Sequence, residues 1–297
     1  MNIMLLGAGF SKNWGGRLAS EVWADVFTNG NLQGRERVRK ALLKERSFEI
    51  VMEDVLTDEM YDAADRQAII TAVTSTFKDM DDLFAQSMFN IIDKTVNYGT
   101  LKHFIGKFRG SLIVTLNQDT ILEQLLQNWS IPFETPYVQQ FAAPKIPDAP
   151  STGTLTAPTS GTIRVLKLHG SHTWRNSVGV PIMVVGKTKR EKIAGSWLLT
   201  EYQSMFEAAV NAGGVRLLVT GYSFCDDHIN EIISTAAAKH QCRVFVWNPH
   251  HPLDMLGNSE AIRNGLMGWE PRLMADLIPS TGGIHIADER IFSVFFD

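Results

Sequence analysis

Five short apolar runs punctuate the chain, at 3–6, 112–116, 164–168, 216–220 and 243–247, and each is closed by a small or polar residue. They are rich in Val, Ile and Leu, as parallel strands covered on both faces usually are. Between the first and second runs the apolar period changes. Leu18, Val22, Trp23 and Val26 recur at helical spacing, as do Ile50, Val51, Val55 and Leu56, and then Ile69, Ile70, Val73 and Phe77. The pattern predicts an α/β fold: an open parallel sheet with an inserted helical module at about 17–107. Asp79-Met80-Asp81-Asp82 reads as the charged, solvated start of a helix beginning near Leu83.

A second, loop-rich insertion is predicted at about 132–162, where Pro136, Pro144, Pro147, Pro150 and Pro158 stand among Ser, Thr and Gly. Such a stretch is either a lid, a partner-binding arm or a mobile insertion. The tail after Asn248 mixes a helix at 261–267 with a closing apolar segment at 291–296, read as an edge strand or an oligomer contact. No internal repeat is visible. The whole of 1–297 is expected to form a single domain with these two insertions.

Composition narrows the class. An apolar share of 44% and a charged share of 20% are globular values, and a formal charge of −4 gives no general attraction to nucleic acid or an acidic membrane. The opening Met1 to Leu6 is short and uncharged for a signal peptide, and no run is long enough to span a bilayer, so a cytoplasmic protein is expected. Cys225 and Cys242 are the two cysteines. They build neither a four-cysteine zinc ribbon nor a disulfide framework, and each reads as a buried thiol.

Four segments follow predicted strands and would therefore share the carboxyl edge of the sheet, where ligands bind in open α/β folds. Gly7-Ala8-Gly9-Phe10-Ser11 offers a tight turn and close backbone approach to a diphosphate, with donors at Ser11 and the following helix start. Position 12 is Lys where a dehydrogenase fingerprint would have its third Gly, and no acidic ribose ligand follows, so hydride transfer is not expected. Asn117 and Asp119 fall on one side of an extended segment. Asn117 either holds a ribose hydroxyl or water or ends the strand; Asp119 either accepts from a carboxamide or caps the next helix.

His169, followed by Gly170, suits a general base free to project into a cleft. His172 reads as structural. Gly221 and Ser223 repeat the small-residue turn, and Asp227 reads as the cap of the helix that follows. Asn248 either meets the adenosine end of a dinucleotide or forms a turn with Pro249. Asp226, Asp227 and His228 are adjacent, so their side chains diverge, and no metal is expected.

Taken in order, Gly-Ala-Gly-x-Ser, Thr-x-Asn-x-Asp, His-Gly, Gly-x-Ser and a late strand ending in Asn resemble the sirtuin superfamily, over most of the chain from Gly7 to Asn248. The resemblance implies a Rossmann-like NAD-binding domain in which Asn117 and His169 match the catalytic pair and Asp119 the nicotinamide-side carboxylate. It implies that Gly7, Ala8, Gly9, Phe10, Ser11, Gly221 and Ser223 line the NAD phosphates and riboses, with Asn248 near the adenosine. Two departures matter: the zinc module of the deacylases is missing, and Lys12-Asn13-Trp14-Gly15-Gly16 replaces their Pro-Asp-Phe-Arg pattern. The chain is more similar to the zinc-lacking, NAD-hydrolysing sirtuin-like proteins of bacterial antiphage defence. That likeness implies a partner in trans such as a HerA-like ATPase, and a homo-oligomer is expected; the charge and hydropathy above predict no direct contact to nucleic acid or membrane.

Overall fold

A computed structural model describes residues 1–91, 99–138, 144–149, 161–255, 260–271 and 295–296. Its strands are β1 (Asn2–Leu6), β2 (Leu112–Thr115), β3 (Phe133–Glu134), β4 (Ile163–Lys167), β5 (Gly170–Arg175), β6 (Pro181–Met183), β7 (Arg216–Thr220), β8 (Arg243–Trp247) and β9 (Leu266–Glu270). Its helices are α1 (Ala8–Lys12), α2 (Ala19–Thr28), α3 (Glu36–Lys44), α4 (Phe48–Thr57), α5 (Ala63–Ile91) and α6 (Gly99–Gly106), then α7 (Ile121–Asn128), α8 (Lys189–Ala194), α9 (Trp197–Val210), α10 (Asp227–His240), α11 (Pro252–Met255) and α12 (Glu260–Gly265).

Seven strands form one parallel sheet in the order β3-β4-β2-β1-β7-β8-β9. This is the Rossmann-like open sheet expected, with helices on both faces. The period-2 alternation within each short strand sorts the core. Ile3, Leu5, Val114, Leu217 and Val219 pack on one face with α9 and α10, while Met4, Leu6, Ile113, Val165 and Leu218 pack on the other with α6 and α7. Helices α2 to α5 bury a separate apolar cluster that includes Val26, Val38, Val51, Val55, Ile69 and Val73. The inserted module is thus a small helical core of its own, joined to the sheet at β1 and β2.

Three expectations need correction. Asp79 to Asp82 lie inside the 29-residue helix α5, not at a helix start. Asp81 is buried there, accepting from the Thr120 backbone and hydroxyl and from His172 Nε2 at 2.7 Å. The helix expected at 261–267 ends at Gly265. Leu266 and Met267 begin β9, because pairing with β8 extends the sheet by one more strand. Of the closing apolar segment, 291–294 lie outside the described residues, but Phe295 is fully buried against Phe108 and Phe245, so it belongs to this chain's core. Much of the second insertion, 139–143 and 150–160, also lies outside them.

The sheet order reverses between β1 and β7. From β1 the chain builds outward through β2 to β4, then returns to the other side of β1 as β7. The turns after these two strands interlock. Gly7 N donates to the Thr220 carbonyl at 3.0 Å and Gly9 N to the Gly221 carbonyl at 2.8 Å. A Cβ on Gly7 would stand 2.6 Å from Gly221 O, and one on Gly9 2.7 Å from Gly221 Cα. Gly221 itself has φ +63°, where side chains are strained, and its own Cβ would overlap the Phe10 amide. Gly221→Ala should therefore destabilise the fold by about 2 kcal/mol or more, since left-handed strain alone costs roughly 1–3 kcal/mol. Urea denaturation of the variant beside wild type measures it, and an unchanged midpoint would refute the interlock.

Candidate functional site

At that reversal a cleft of about 1070 Å³ opens at the carboxyl edge of the sheet. Topological switch points of this kind are where open α/β sheets bind ligands, and the volume exceeds what a compact drug-sized molecule needs. Its floor and walls combine Gly7, Ala8, Gly9 and Asn117 with His169, Gly221, Ser223 and Asn248. Eight of the residues singled out by the sequence thus share one wall of space, although they lie on five separate segments. The opposite wall comes from the helical module and the segment leading into α8, including Ser47, Glu49, Ile50, Lys187 and Lys189.

Phe10, Ser11 and Asp119 are placed behind this lining. Phe10 is 1% exposed and packs edge-on against Trp14, 6.3 Å between ring centroids. Ser11 donates to Asp119 Oδ2 at 2.8 Å and accepts from Asn117 Nδ2 at 2.9 Å. Asn117 Nδ2 also donates to the Gly7 carbonyl at 2.9 Å. A three-residue polar network therefore pins the end of β2 to the turn after β1, and fixes which way the Asn117 amide faces. Asp119 Oδ1 accepts from the Ile121 amide at 3.1 Å, so this carboxylate also closes the start of α7. Buried Lys167 donates to the Asp119 carbonyl at 2.5 Å and pairs with Glu123 at 3.0 Å.

The glycines turn out to serve packing as much as ligand approach. The N–H groups of Gly7 and Gly9 are already bonded to the β7 turn, which leaves them no donor for a phosphate. Gly170 opens the β5–β6 hairpin, where its φ is +72° and a Cβ would overlap the Ile182 carbonyl. It frees no space for the His169 ring.

His169 is 4% exposed at the end of β4. Its Nε2 lies 3.1 Å from Nε2 of His228, on the first turn of α10. Burial pushes the His169 pKa down to about 3, an effect that nearby Lys189 and His228 reinforce and Asp226 opposes, so the ring is neutral in the resting protein. Burial also lowers that of His228. Asp226 takes the N-cap position of α10, which had been expected of Asp227, but its side chain makes no capping bond. Its carboxylate instead meets Lys189 Nζ at 2.7 Å, and Lys189 reaches Glu49 of α4 at 3.1 Å. Beside it, Glu53 is buried and accepts from the Lys187 and Thr188 amides and the Thr188 hydroxyl. These bonds fasten the helical module to the segment before α8, across the cleft from the sheet.

Lys189, Glu49, Asp226 and His228 were not singled out by the sequence as working parts. No spacing rule joins residues 49, 189 and 226, which meet because three elements converge. His169, Asp226 and His228 each bring a ligand-type atom within 4.8 Å of the others, where adjacency had suggested divergence. Two observations count against a cation there: an ammonium already sits on the Asp226 carboxylate, and the two imidazoles face one another directly. Of the two cysteines, Cys242 is buried as expected, whereas Cys225 is exposed at the rim of the cleft.

Residues 111–255 match the family model of the SIR2-like domain. The match supports the sirtuin-like superfamily, whose SIR2-like domains bind NAD. It spans β2 to α11, so it includes Asn117, Asp119, His169, Gly221, Ser223 and Asn248 and leaves out β1 with its glycine turn and the helical module up to α6. No curated protein matched the chain. No helix among the described residues is long and apolar enough to cross a membrane.

The buried carboxylate gives a pH test. Burial, and then the charge of Asp81, raise the Asp119 pKa from 3.8 to about 6. An acid raised in the native state binds more protons there than in the unfolded chain between those two values, so its contribution to stability falls as pH rises through them. Asp119→Asn keeps the shape without the charge. The variant's melting temperature relative to wild type should therefore be higher at pH 7 than at pH 4; a difference that is flat with pH would contradict the assignment.

Proposed function

We propose that this protein hydrolyses NAD at the nicotinamide glycosidic bond, giving nicotinamide and ADP-ribose. The observation that carries the reading is the meeting of Asn117 and His169 with the Gly221-to-Ser223 turn in one cleft at the sheet's switch point, within a chain that matches the SIR2-like domain. The leaving group is a cationic pyridinium, so its departure needs no strong acid. As the C1′–N bond breaks, its electron pair leaves with nicotinamide; a water oxygen bonds C1′ and releases a proton. The protein's tasks are orientation and electrostatics around an oxocarbenium-like centre.

In this reading Asn117 orients the water or a ribose hydroxyl, and neutral His169 supplies the base. Asp119 acts from behind, holding Ser11 and through it the Asn117 amide. Gly7 to Gly9, Gly221 and Ser223 flank the riboses and diphosphate, and Asn248 flanks the adenosine end. The helical module closes the far wall through Lys189. Two cysteines cannot supply the zinc module of a protein deacylase, which favours water over an acyl peptide as the acceptor. We read the activity as the effector of an antiphage system, held low until the chain assembles with itself or a partner, because unrestrained NAD hydrolysis would deplete its own cell.

Chromatography of NAD incubated with the protein tests the chemistry. Wild type should release nicotinamide and ADP-ribose in equal amounts. Asn117→Ala and His169→Ala should each lose about 10²- to 10⁴-fold in rate, the usual contribution of a positioned base, while remaining folded, with Asn117→Ala lowered in melting temperature by the loss of its bonds to Gly7 and Ser11. Undiminished turnover in both variants would remove these roles, and nicotinamide released only when an acylated peptide is present would replace hydrolysis with deacylation.

A further inference from the structure

The lone pair expected of His169 is not open to solvent. Its Nε2 faces Nε2 of His228 at 3.1 Å, and the Leu116 backbone beside the ring favours a proton on His169. A neutral imidazole carries one N–H. We assign the His169 proton to the Leu116 side, which makes Nε2 of His169 the acceptor and Nε2 of His228 the donor. His228 then keeps its remaining ring nitrogen unprotonated, and this residue lines the cleft.

The rings meet nearly end to end. Their centroids stand 5.2 Å apart, 2.1 Å more than the two nitrogens. That excess is close to the two ring radii together, so the nitrogens point along the line joining them. Two imidazoles sharing a metal would instead both tilt toward a point off that line. The arrangement is that of a shared proton.

We propose, resting on the hydrolase reading, that His228 is the partner through which His169 receives the proton of the attacking water. The O–H bond of water breaks as its proton bonds to the free ring nitrogen of His228, while the oxygen bonds C1′. The proton between the two Nε2 atoms moves toward His169, and the pair as a whole gains one positive charge. The charged groups around the pair are Asp226 at the N-cap of α10, Asp227 and Arg190 beside it, and Lys189 of α8, whose ammonium is held by Asp226 and by Glu49 of α4. Asp226 balances the charge the pair acquires, and Lys189 keeps that charge from persisting once product has left. The sequence offered His228 only as a member of an Asp226-Asp227-His228 metal cluster, set aside because adjacent side chains diverge.

The test compares wild type with His228→Ala and His228→Asn. Both variants should lose about 10²- to 10⁴-fold in kcat, with KM for NAD and melting temperature little changed, and free imidazole should restore part of the rate to His228→Ala. Wild-type rates, or losses that imidazole does not recover and that track a lowered melting temperature, would overturn the proposal. A second readout does not depend on turnover: ¹⁵N-detected histidine titration. If the rings share a proton, His228→Asn changes the tautomer and titration of His169; an unaltered His169 signal would overturn the pair even if NAD is cleaved. Absence of NAD cleavage with coupled titration intact would sink the hydrolase reading while leaving the pair. Stoichiometric Zn²⁺ binding by wild type, lost in His228→Ala, would assign the cluster to a metal and defeat the proposal.

Discussion

The contact on which the site depends is the interlock of two turns, Gly7 to Gly9 after β1 and Gly221 after β7. Backbone lies against backbone there, with room for no Cβ at any of the three glycines. Because these strands are neighbours on either side of the sheet's reversal, locking their turns together sets the floor of the cleft. It also positions Asn117, whose amide bonds the Gly7 carbonyl. The glycines thus act on ligand binding indirectly, by fixing the backbone that the ligand would meet.

A second constraint comes from the inserted helices. They bury their own apolar core, which also takes in Val185, and add polar contacts to the sheet domain: Glu53 to the segment before α8, Glu49 to Lys189, and Asp81 to Thr120 and His172. Hydrogen bonds of this kind demand geometry more than area, so they hold the far wall of the cleft at a defined distance from His169. The price is several buried charges, each of which has a partner: Asp119 with Ser11, Lys167 with Glu123, and Asp226 with Lys189. Buried pairs are weak contributors to stability but set conformation where one partner without the other is costly.

Much of this was legible in the sequence, for physical reasons that differ by element. The five core strands read clearly because both faces of a central parallel strand are apolar; β7 and β8 match their predicted bounds to the residue. The edge strands β3 and β9 were missed, since they are short or half exposed and carry no such run. Asp81 was misread because a charged cluster looks alike at a helix start and inside a long helix whose one buried face holds a polar hub. Asn117 and His169 were legible as cleft residues because each closely follows a buried strand at the carboxyl edge of the sheet. His228, Lys189 and Glu49 were not, because their roles exist only where α10, α8 and α4 meet. The glycine turn was recognised, but its reason was half right: its N–H groups serve the fold first.

A structure of the protein crystallised with ADP-ribose is the most direct measurement of the central claim, that the cleft at the β1/β7 reversal is the NAD site. The account predicts the diphosphate along the interlocked turns, adenine toward Asn248, and the terminal ribose within hydrogen-bond reach of Asn117 and the His169–His228 pair. ADP-ribose bound elsewhere on an intact fold, or bound in the cleft with its terminal ribose pointing away from His169, would contradict it.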